Sequence, residues 1–230
     1  MQAMQLVFLI LLSVFLSSCS VPDLTEPAVM ADAKSSAIEL HTLERKFMYG
    51  MFYLFVEDED DPFTGWVKTS GLKGQLMEIG YLKDGRREGR WMKWDGNGAK
   101  LSEIGWHEDR LEGAYQTWYT NGQVKEEGQT RDGEMDGEWK EYYPNGQLRS
   151  QMLCQIGIMV NIRVWQPDGT QCNHSRVMDG NGSYYRYRPD GSREHFRSFI
   201  NGKETKKEQY FKMQSAMWNL LLCSRWIYLL

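Results

Sequence analysis

The sequence predicts an all-β fold: an elongated repeat array of antiparallel β-hairpins, about six units of roughly 24 residues, forming a single twisted sheet. Three observations carry this reading. Glycines recur at a near-constant spacing, aromatic residues recur at fixed offsets from them, and the segments between are too short for stable helices. Gly74, Gly98, Gly122, Gly146, Gly169 and Gly191 are separated by 24, 24, 24, 23 and 22 residues. A turn-forming residue precedes five of them (Asn97, Asn121, Asn145, Asp168 and Asp190), and Lys73 precedes the first. Four residues before each glycine stand Ser70, Trp94, Trp118, Tyr142, Trp165 and Tyr187. Seven residues before stand Val67, Trp91, Tyr115, Trp139, Ile162 and Tyr184, and nine before stand Gly65, Gly89, Gly113, Gly137, Val160 and Gly182. Self-similarity at a fixed period of this length is the mark of a repeat architecture.

Within a unit the order is a glycine, an aromatic-rich run, Asn-Gly or Asp-Gly, a second run and a charged loop. Asn-Gly and Asp-Gly favour hairpin turns, because both central positions tolerate positive φ. Aromatic residues favour strands over helices. The two aromatic columns are three residues apart and would share a helical face, but fewer than ten residues separate the opening glycine from the turn. That is too few for a stable helix. In a strand, the odd separation sends the two columns to opposite faces. One ladder then lines a core, and Trp94, Trp118, Tyr142, Trp165 and Tyr187 form the candidate binding face. A lone hairpin is barely stable, whereas stacked hairpins support one another.

The chain has 230 residues, with 22 glycines against 6 prolines, so its turns are made chiefly by glycine. A net charge of −4 argues against nucleic acid as a partner, since phosphate neutralisation needs clustered Lys and Arg. Residues 20–175 carry 17 basic against 26 acidic residues, and residues 176–212 carry 9 against 5.

Outside the array (residues 63–212) the chain divides into a signal peptide (1–18), a flexible tether (19–36), an N-terminal capping strand region (37–62) and an apolar C-terminal tail or cap (213–230). Leu6 to Leu16 is an apolar run with the length of a signal-peptide core, too short to span a bilayer. Leu16-Ser17-Ser18-Cys19 is similar to the lipobox of bacterial lipoproteins. The resemblance implies lipid attachment at Cys19, export and anchoring to the cell envelope, with the outer membrane favoured because Ser20 follows the cysteine. An ordinary secretory peptide or a tethered helix is the other reading. Ser20 to Ser36 is small, polar and proline-containing, as a tether is. Lys46 to Val56 is a strand-like run that can pair with the first unit. The tail Met217 to Leu230 either covers the last hairpin edge or lies against a lipid surface.

Gly113-Ala114-Tyr115 through Trp118-Tyr119-Thr120-Asn121-Gly122-Gln123-Val124, together with Gly137-Glu138-Trp139 through Tyr142-Tyr143-Pro144-Asn145-Gly146-Gln147-Leu148, resembles the bacterial variant of the MORN repeat. Pro62-Phe63-Thr64-Gly65-Trp66-Val67 is similar to the usual opening of such arrays. The resemblance covers roughly residues 62–211 and extends to the YwqK-type antitoxin family. It implies an elongated antiparallel sheet with a binding or scaffolding role. The last three units depart from the pattern at Val160, at Ile162 and in their shortened spacing.

The residues present no catalytic pattern. His41, His107, His174 and His195 lie far apart in sequence, without zinc-ligand spacing. Asp84, Asp109, Asp132 and Asp136 recur in loops and read as surface charge rather than a hydrolytic pair. Cys154 and Cys172 sit in successive units, where a bridge is possible, and Cys223 stands apart. The sequence therefore points to a non-enzymatic scaffold without cofactor or metal, whose expected partner is a protein, with a membrane reached through Cys19. An antitoxin or immunity protein and a glycan- or membrane-surface-binding module are the alternatives.

Overall fold

The computed structural model describes residues 21–205; the signal segment, Cys19 and the apolar tail lie outside the described residues. Among the described residues a helix α1 (Pro27–Ser36) comes first, followed by β1 (Ile38–Glu39), β2 (Glu44–Met48) and β3 (Met51–Phe55). The array then runs as β4 (Gly65–Ser70), β5 (Leu76–Lys83), β6 (Arg86–Trp94), β7 (Lys100–His107), β8 (Arg110–Trp118), β9 (Val124–Arg131) and β10 (Glu134–Tyr142). It continues through β11 (Leu148–Gln155), β12 (Ile158–Trp165), β13 (Gln171–Met178), β14 (Asn181–Tyr187), β15 (Arg193–Ile200) and β16 (Lys203–Thr205). From β4 to β16 each strand pairs with the next, and β1 adds in parallel beside β4, giving one open sheet of 14 strands. The predicted array of antiparallel hairpins is therefore the observed fold.

Two kinds of turn produce this meander, and their roles differ from those the sequence suggests. The tight two-residue turns are the links between units, most of them charged. Asp84 and Gly85 take φ of 49° and 72°, and Asp132 and Gly133 take 51° and 88°, so both central residues are left-handed. This is the hairpin turn whose twist matches that of the strands. The Asn-Gly turns are wider. Gly98, Gly122 and Gly146 have positive φ, but the asparagines before them do not. The Gly98 N–H donates to the Asp95 carbonyl and the Asp95 N–H to the Ala99 carbonyl, as in a three-residue loop closed by a left-handed glycine.

The bulges form at the opening glycines Gly89, Gly113 and Gly137, where three residues face one glycine of the neighbouring strand. Gly80 stands where the β5–β6 register slips, between the pairs Ile79–Met92 and Tyr81–Glu88. Gly105 and Gly128 occupy the matching slips of β7–β8 and β9–β10. In the first and third slips a tryptophan lies over the glycine. A Cβ at Gly80 would meet the Trp91 ring at 2.0 Å, and one at Gly128 the Trp139 ring at 2.2 Å. Bulges of this kind bend a strand and tighten its twist.

The bending accumulates. Glu141 on β10 forms an ion pair with Arg186 on β14, and Arg149 on β11 pairs with Glu194 on β15. In a flat sheet such residues would stand roughly 19 Å apart, at about 4.8 Å per strand. The C-terminal half therefore curls toward one face, here called inner. Within the curl pack Trp139, Tyr143, Met152, Cys154, Ile162, Val164, Val177, Tyr184 and Phe199.

In the N-terminal half, both faces are covered by the segment preceding the array. On the inner face Val67, Leu82 and Trp91 pack with Ile38, Leu40, Leu43, Leu54 and Phe63. On the outer face Leu24, Ala33 and Ala37 pack with Trp66, Ile79 and Met92. Two expectations are corrected by this. The segment read as a flexible tether contains α1 from residue 27, and it docks because its few apolar groups, Leu24 (1% exposed) and Ala33 (0%), fit the sheet. The strand-like run from Lys46 to Val56 does not pair with the first unit. It folds on itself at Tyr49 and Gly50, whose φ values are 50° and 82°, and the short β1 takes the place beside β4.

Replacing Gly128 with Ala is expected to destabilise the fold by about 1–3 kcal/mol, because the Trp139 ring cannot withdraw from a packed core without strain. Gly96→Ala, at an uncrowded position with no left-handed φ, is expected to change stability by less than about 0.5 kcal/mol. Urea denaturation of the two variants checks the contrast.

Candidate functional site on the open outer face

The two aromatic columns do fall on opposite faces in the N-terminal half. Trp91 packs in the inner cluster with Val67 and Leu82, whereas Trp94 packs with Met92 on the outer side. The column seven residues before the turn glycine is the core ladder: Val67, Trp91, Trp139, Ile162 and Tyr184 are buried, and Tyr115 packs against Trp139 in a tilted arrangement with ring centroids 4.9 Å apart.

The column proposed as a binding face does not behave as one unit. Trp94 packs at the rim of the outer cluster that α1 covers. Tyr187 is 6% exposed, belongs to the C-terminal core, and its hydroxyl lies 3.1 Å from the Cys172 sulfur. Trp118, Tyr142 and Trp165 remain half-buried. The Lys100 ammonium sits 4.5 Å from the Trp118 ring centroid, a cation–π contact. The Tyr142 hydroxyl donates to Glu127 at 2.6 Å, and Gln116 donates to the other oxygen of the same carboxylate at 3.2 Å. Burial, together with the Glu127 carboxylate, pushes the Tyr142 hydroxyl up to about 12. Trp165 offers its carbonyl to the Tyr143 hydroxyl at 2.8 Å.

Next to these aromatics a groove of about 590 Å³ crosses β10 to β13. Strand register fixes its outer wall. Gln151 stands opposite Arg163, Arg163 opposite Arg176, and Leu153 opposite Asn161. Leu153 is 40% and Met178 54% exposed. At one side Gln151 and Lys140 bind Glu138. The hydrogen bond from Gln151 and the charge of Lys140 hold that carboxyl below its ordinary range. No ion pair among the described residues includes Arg163 or Arg176. Like charges directly opposite across a strand pair are destabilising, so this juxtaposition is maintained at a cost. Nothing in the repeat pattern announced it, since both arginines fall outside the periodic columns.

The recurrent loop acids serve the architecture. Asp84 and Asp132 occupy left-handed turn positions. An Asp109 carboxylate oxygen accepts the Arg87 N–H at 2.9 Å, and one of Asp136 accepts the Ile156 N–H at 3.2 Å. Among the described residues no group of three His, Cys, Asp or Glu side chains comes together as a metal would require.

Cys154 and Cys172 are both free. They lie on β11 and β13 with β12 between them, roughly 9.6 Å at the usual strand spacing, beyond the reach of a disulfide. Their chemistry differs. Burial pushes the Cys154 thiol up. Burial acts upward on Cys172 too, but hydrogen bonds from Ser175, Tyr187 and nearby backbone outweigh it and leave the thiol below its ordinary range. Brief treatment of the folded protein with iodoacetamide is expected to modify Cys172 and spare Cys154, as read by peptide mass spectrometry.

Beneath Trp118, Glu103 binds both Arg90 and Lys100. Burial pushes its carboxyl up, but the two cations and their hydrogen bonds outweigh this and hold it below the ordinary 4.5. A lowered carboxyl contributes stability that is present above the unfolded value and lost as pH falls through the folded one. Melting temperature is therefore expected to drop as pH is lowered below 4.5, with a shallower drop in Glu103→Gln.

A search of the curated proteins gives no match to the chain. Residues 111–132 and 135–153 match the family model of the MORN repeat variant. The first stretch spans β8, its Asn-Gly turn and β9, and the second spans β10, its turn and most of β11, so two successive repeats of this array are of the MORN-variant type.

Proposed function

We propose that the protein is a non-enzymatic repeat scaffold, held at the cell envelope by lipid on Cys19, that presents the outer face of β8 to β13 to a protein partner. One observation carries the choice of face. The segment from Leu24 to Ala37 covers the outer side of the first two units and goes no further, leaving Trp118, Tyr142, Trp165 and the arginine groove uncovered among the described residues. MORN repeats commonly act as binding scaffolds, which fits the two matched units. Val21 packs against Gly89, and Asp23 pairs with Arg90 at 3.5 Å. With lipid on Cys19, a single residue would separate the anchor from the folded body, so the scaffold would ride close to the bilayer.

The immunity role implied by the antitoxin resemblance is the special case in which the partner is a toxin. Deletion of the gene would then be lethal only where that toxin is present. The general reading is tested by placing a photo-crosslinking side chain at Lys140, on the open face, and at Lys73, in the first turn, within the native host. A discrete protein adduct at position 140 and none at 73 is the expected result. Equal adducts, or none at either site, would remove the open face as the binding surface. In a Cys19→Ala copy the protein should move from the membrane to the soluble fraction; unchanged membrane association would overturn the anchor.

A further inference from the structure

We infer that the groove across β10 to β13 takes an extended peptide segment in which an acidic residue is followed, two positions later, by an apolar one. The inference rests on the binding-scaffold reading and names the chemistry of its partner.

The acidic requirement comes from Arg163 and Arg176. They face each other across β12 and β13, line the groove, are exposed, and pair with no carboxylate among the described residues. A carboxylate laid between them would turn a repulsive pair into two charge-assisted contacts, and the guanidinium fork suits a carboxylate in a bidentate mode. Glu138 lines the same groove, already engaged by Lys140 and Gln151. Its charge disfavours a polyanion and suits a ligand with one acid at this point.

The apolar requirement comes from the next residues along the same strands. Two residues beyond Arg176 stands Met178, and two from Arg163 stands Asn161, opposite Leu153. Two residues of extended chain span about 6.8 Å, the same step on a bound peptide as on the strands beneath it. Met178 occupies the position just before the tight turn, which His107, Arg131 and Gln155 hold in earlier units. That position is exposed in each of these units, and an exposed apolar side chain there is particular to this one.

A third feature concerns the same edge. Ile156 begins the tight turn between β11 and β12 with φ 45° while 51% exposed. The corresponding turn residues are Asp84, Glu108, Asp132, Asp179 and Asn201. A β-branched side chain in left-handed backbone is strained, and such strain concentrates at functional sites. Ile158, two residues further along the chain, is 46% exposed, so the turn beside the groove carries two exposed apolar side chains. Gln151, Gln171 and Asn173 line the groove and supply amide groups for the peptide backbone.

The test uses the mature chain and a fluorescein-labelled peptide, Gly-Ser-Glu-Thr-Leu-Ser-Gly, read by fluorescence anisotropy. Saturable binding is expected, weakened at least tenfold by Glu→Gln in the peptide, by the Arg163→Ser/Arg176→Ser double variant, and several-fold by Met178→Gln. The double variant should melt no lower than the parent, since it removes a repulsion, so lost binding there cannot be ascribed to unfolding. Absence of binding at millimolar peptide, equal binding of the Gln peptide, or full binding by the double variant would each overturn the inference. Displacement by inorganic phosphate at the same concentration as the peptide would also overturn it, because the groove would then read charge without sequence. A Lys140 adduct without peptide binding removes only this groove chemistry, whereas peptide binding without a Lys140 adduct removes only the scaffold reading.

Discussion

Every tight turn in this array leaves a backbone N–H at its first left-handed residue pointing along the sheet edge, and the preceding unit must supply its acceptor. Six turns solve the problem in the same way. The N–H groups of Asp84, Glu108, Asp132, Ile156, Asp179 and Asn201 donate to side-chain oxygens of Thr64, Glu88, Glu112, Asp136, Asn161 and Asn181, at 2.8 to 3.2 Å. A turn N–H left without a partner would cost about 1–3 kcal/mol where it is shielded from water. The bond makes the repeat length a physical quantity, because donor and acceptor belong to consecutive units and lengthening one would part them. It also explains the glycine column, since in five units the acceptor immediately precedes a glycine with positive φ, such as Gly113 and Gly137 at 82°. In the fifth unit Val160 replaces that glycine, and the acceptor moves past it to Asn161, reaching Asp179 across 18 residues instead of 20. The irregular spacing of the later units is thus an adjustment of the same bond.

The opposite edge is tied by a second ladder. Asn121 and Asn145 donate from their side-chain amides to the Pro144 and Pro167 carbonyls, and Tyr119 and Tyr143 donate from their hydroxyls to the Tyr142 and Trp165 carbonyls. Each asparagine also accepts the N–H two residues on. An aspartate in its place, as at Asp168 and Asp190, can accept but cannot donate, and the outward amide bond is made by Asn121 and Asn145. With both edges tied, the bulges opposite Gly80, Gly105 and Gly128 have one remaining effect, to bend the sheet between them. The curl that follows gives the C-terminal half a core without a second layer, while the N-terminal half takes its cover from residues 24–63.

Periodicity made the units, the strands and the core ladder legible, because burial repeats with the period. What it could not show lies between units. Asn-Gly suits the tight turn because its preference for left-handed backbone is strong, yet register gives that turn to the links between units, and at Asn121 and Asn145 the asparagine serves through its side chain. The docked segment reads as a tether because Leu24 and Ala33 are too few to form a hydrophobic pattern, and a single well-placed leucine suffices on a flat outer face. Trp94 and Tyr187 looked equivalent to Trp118 and Trp165 in spacing. Their surroundings differ because α1 covers one end of the sheet and the curl encloses the other.

A repeat protein satisfies the same local rules unit after unit, so a departure that those rules do not require points to selection for something else. Val160 is not such a departure, since Asn161 restores the bond it displaces. Arg163 opposite Arg176 restores nothing. It places like charges together on a sheet where Arg90, Arg131, Arg149 and Arg186 have acidic partners. Ile156 likewise puts a branched apolar side chain where the fold asks for a small polar one. The arginine pair lies in the groove, and Ile156 lies in the turn that joins two of the strands crossing it, β11 and β12. Because the ladders at both edges hold these strands rigid, the groove is formed before any partner arrives, and binding there need not order the sheet first.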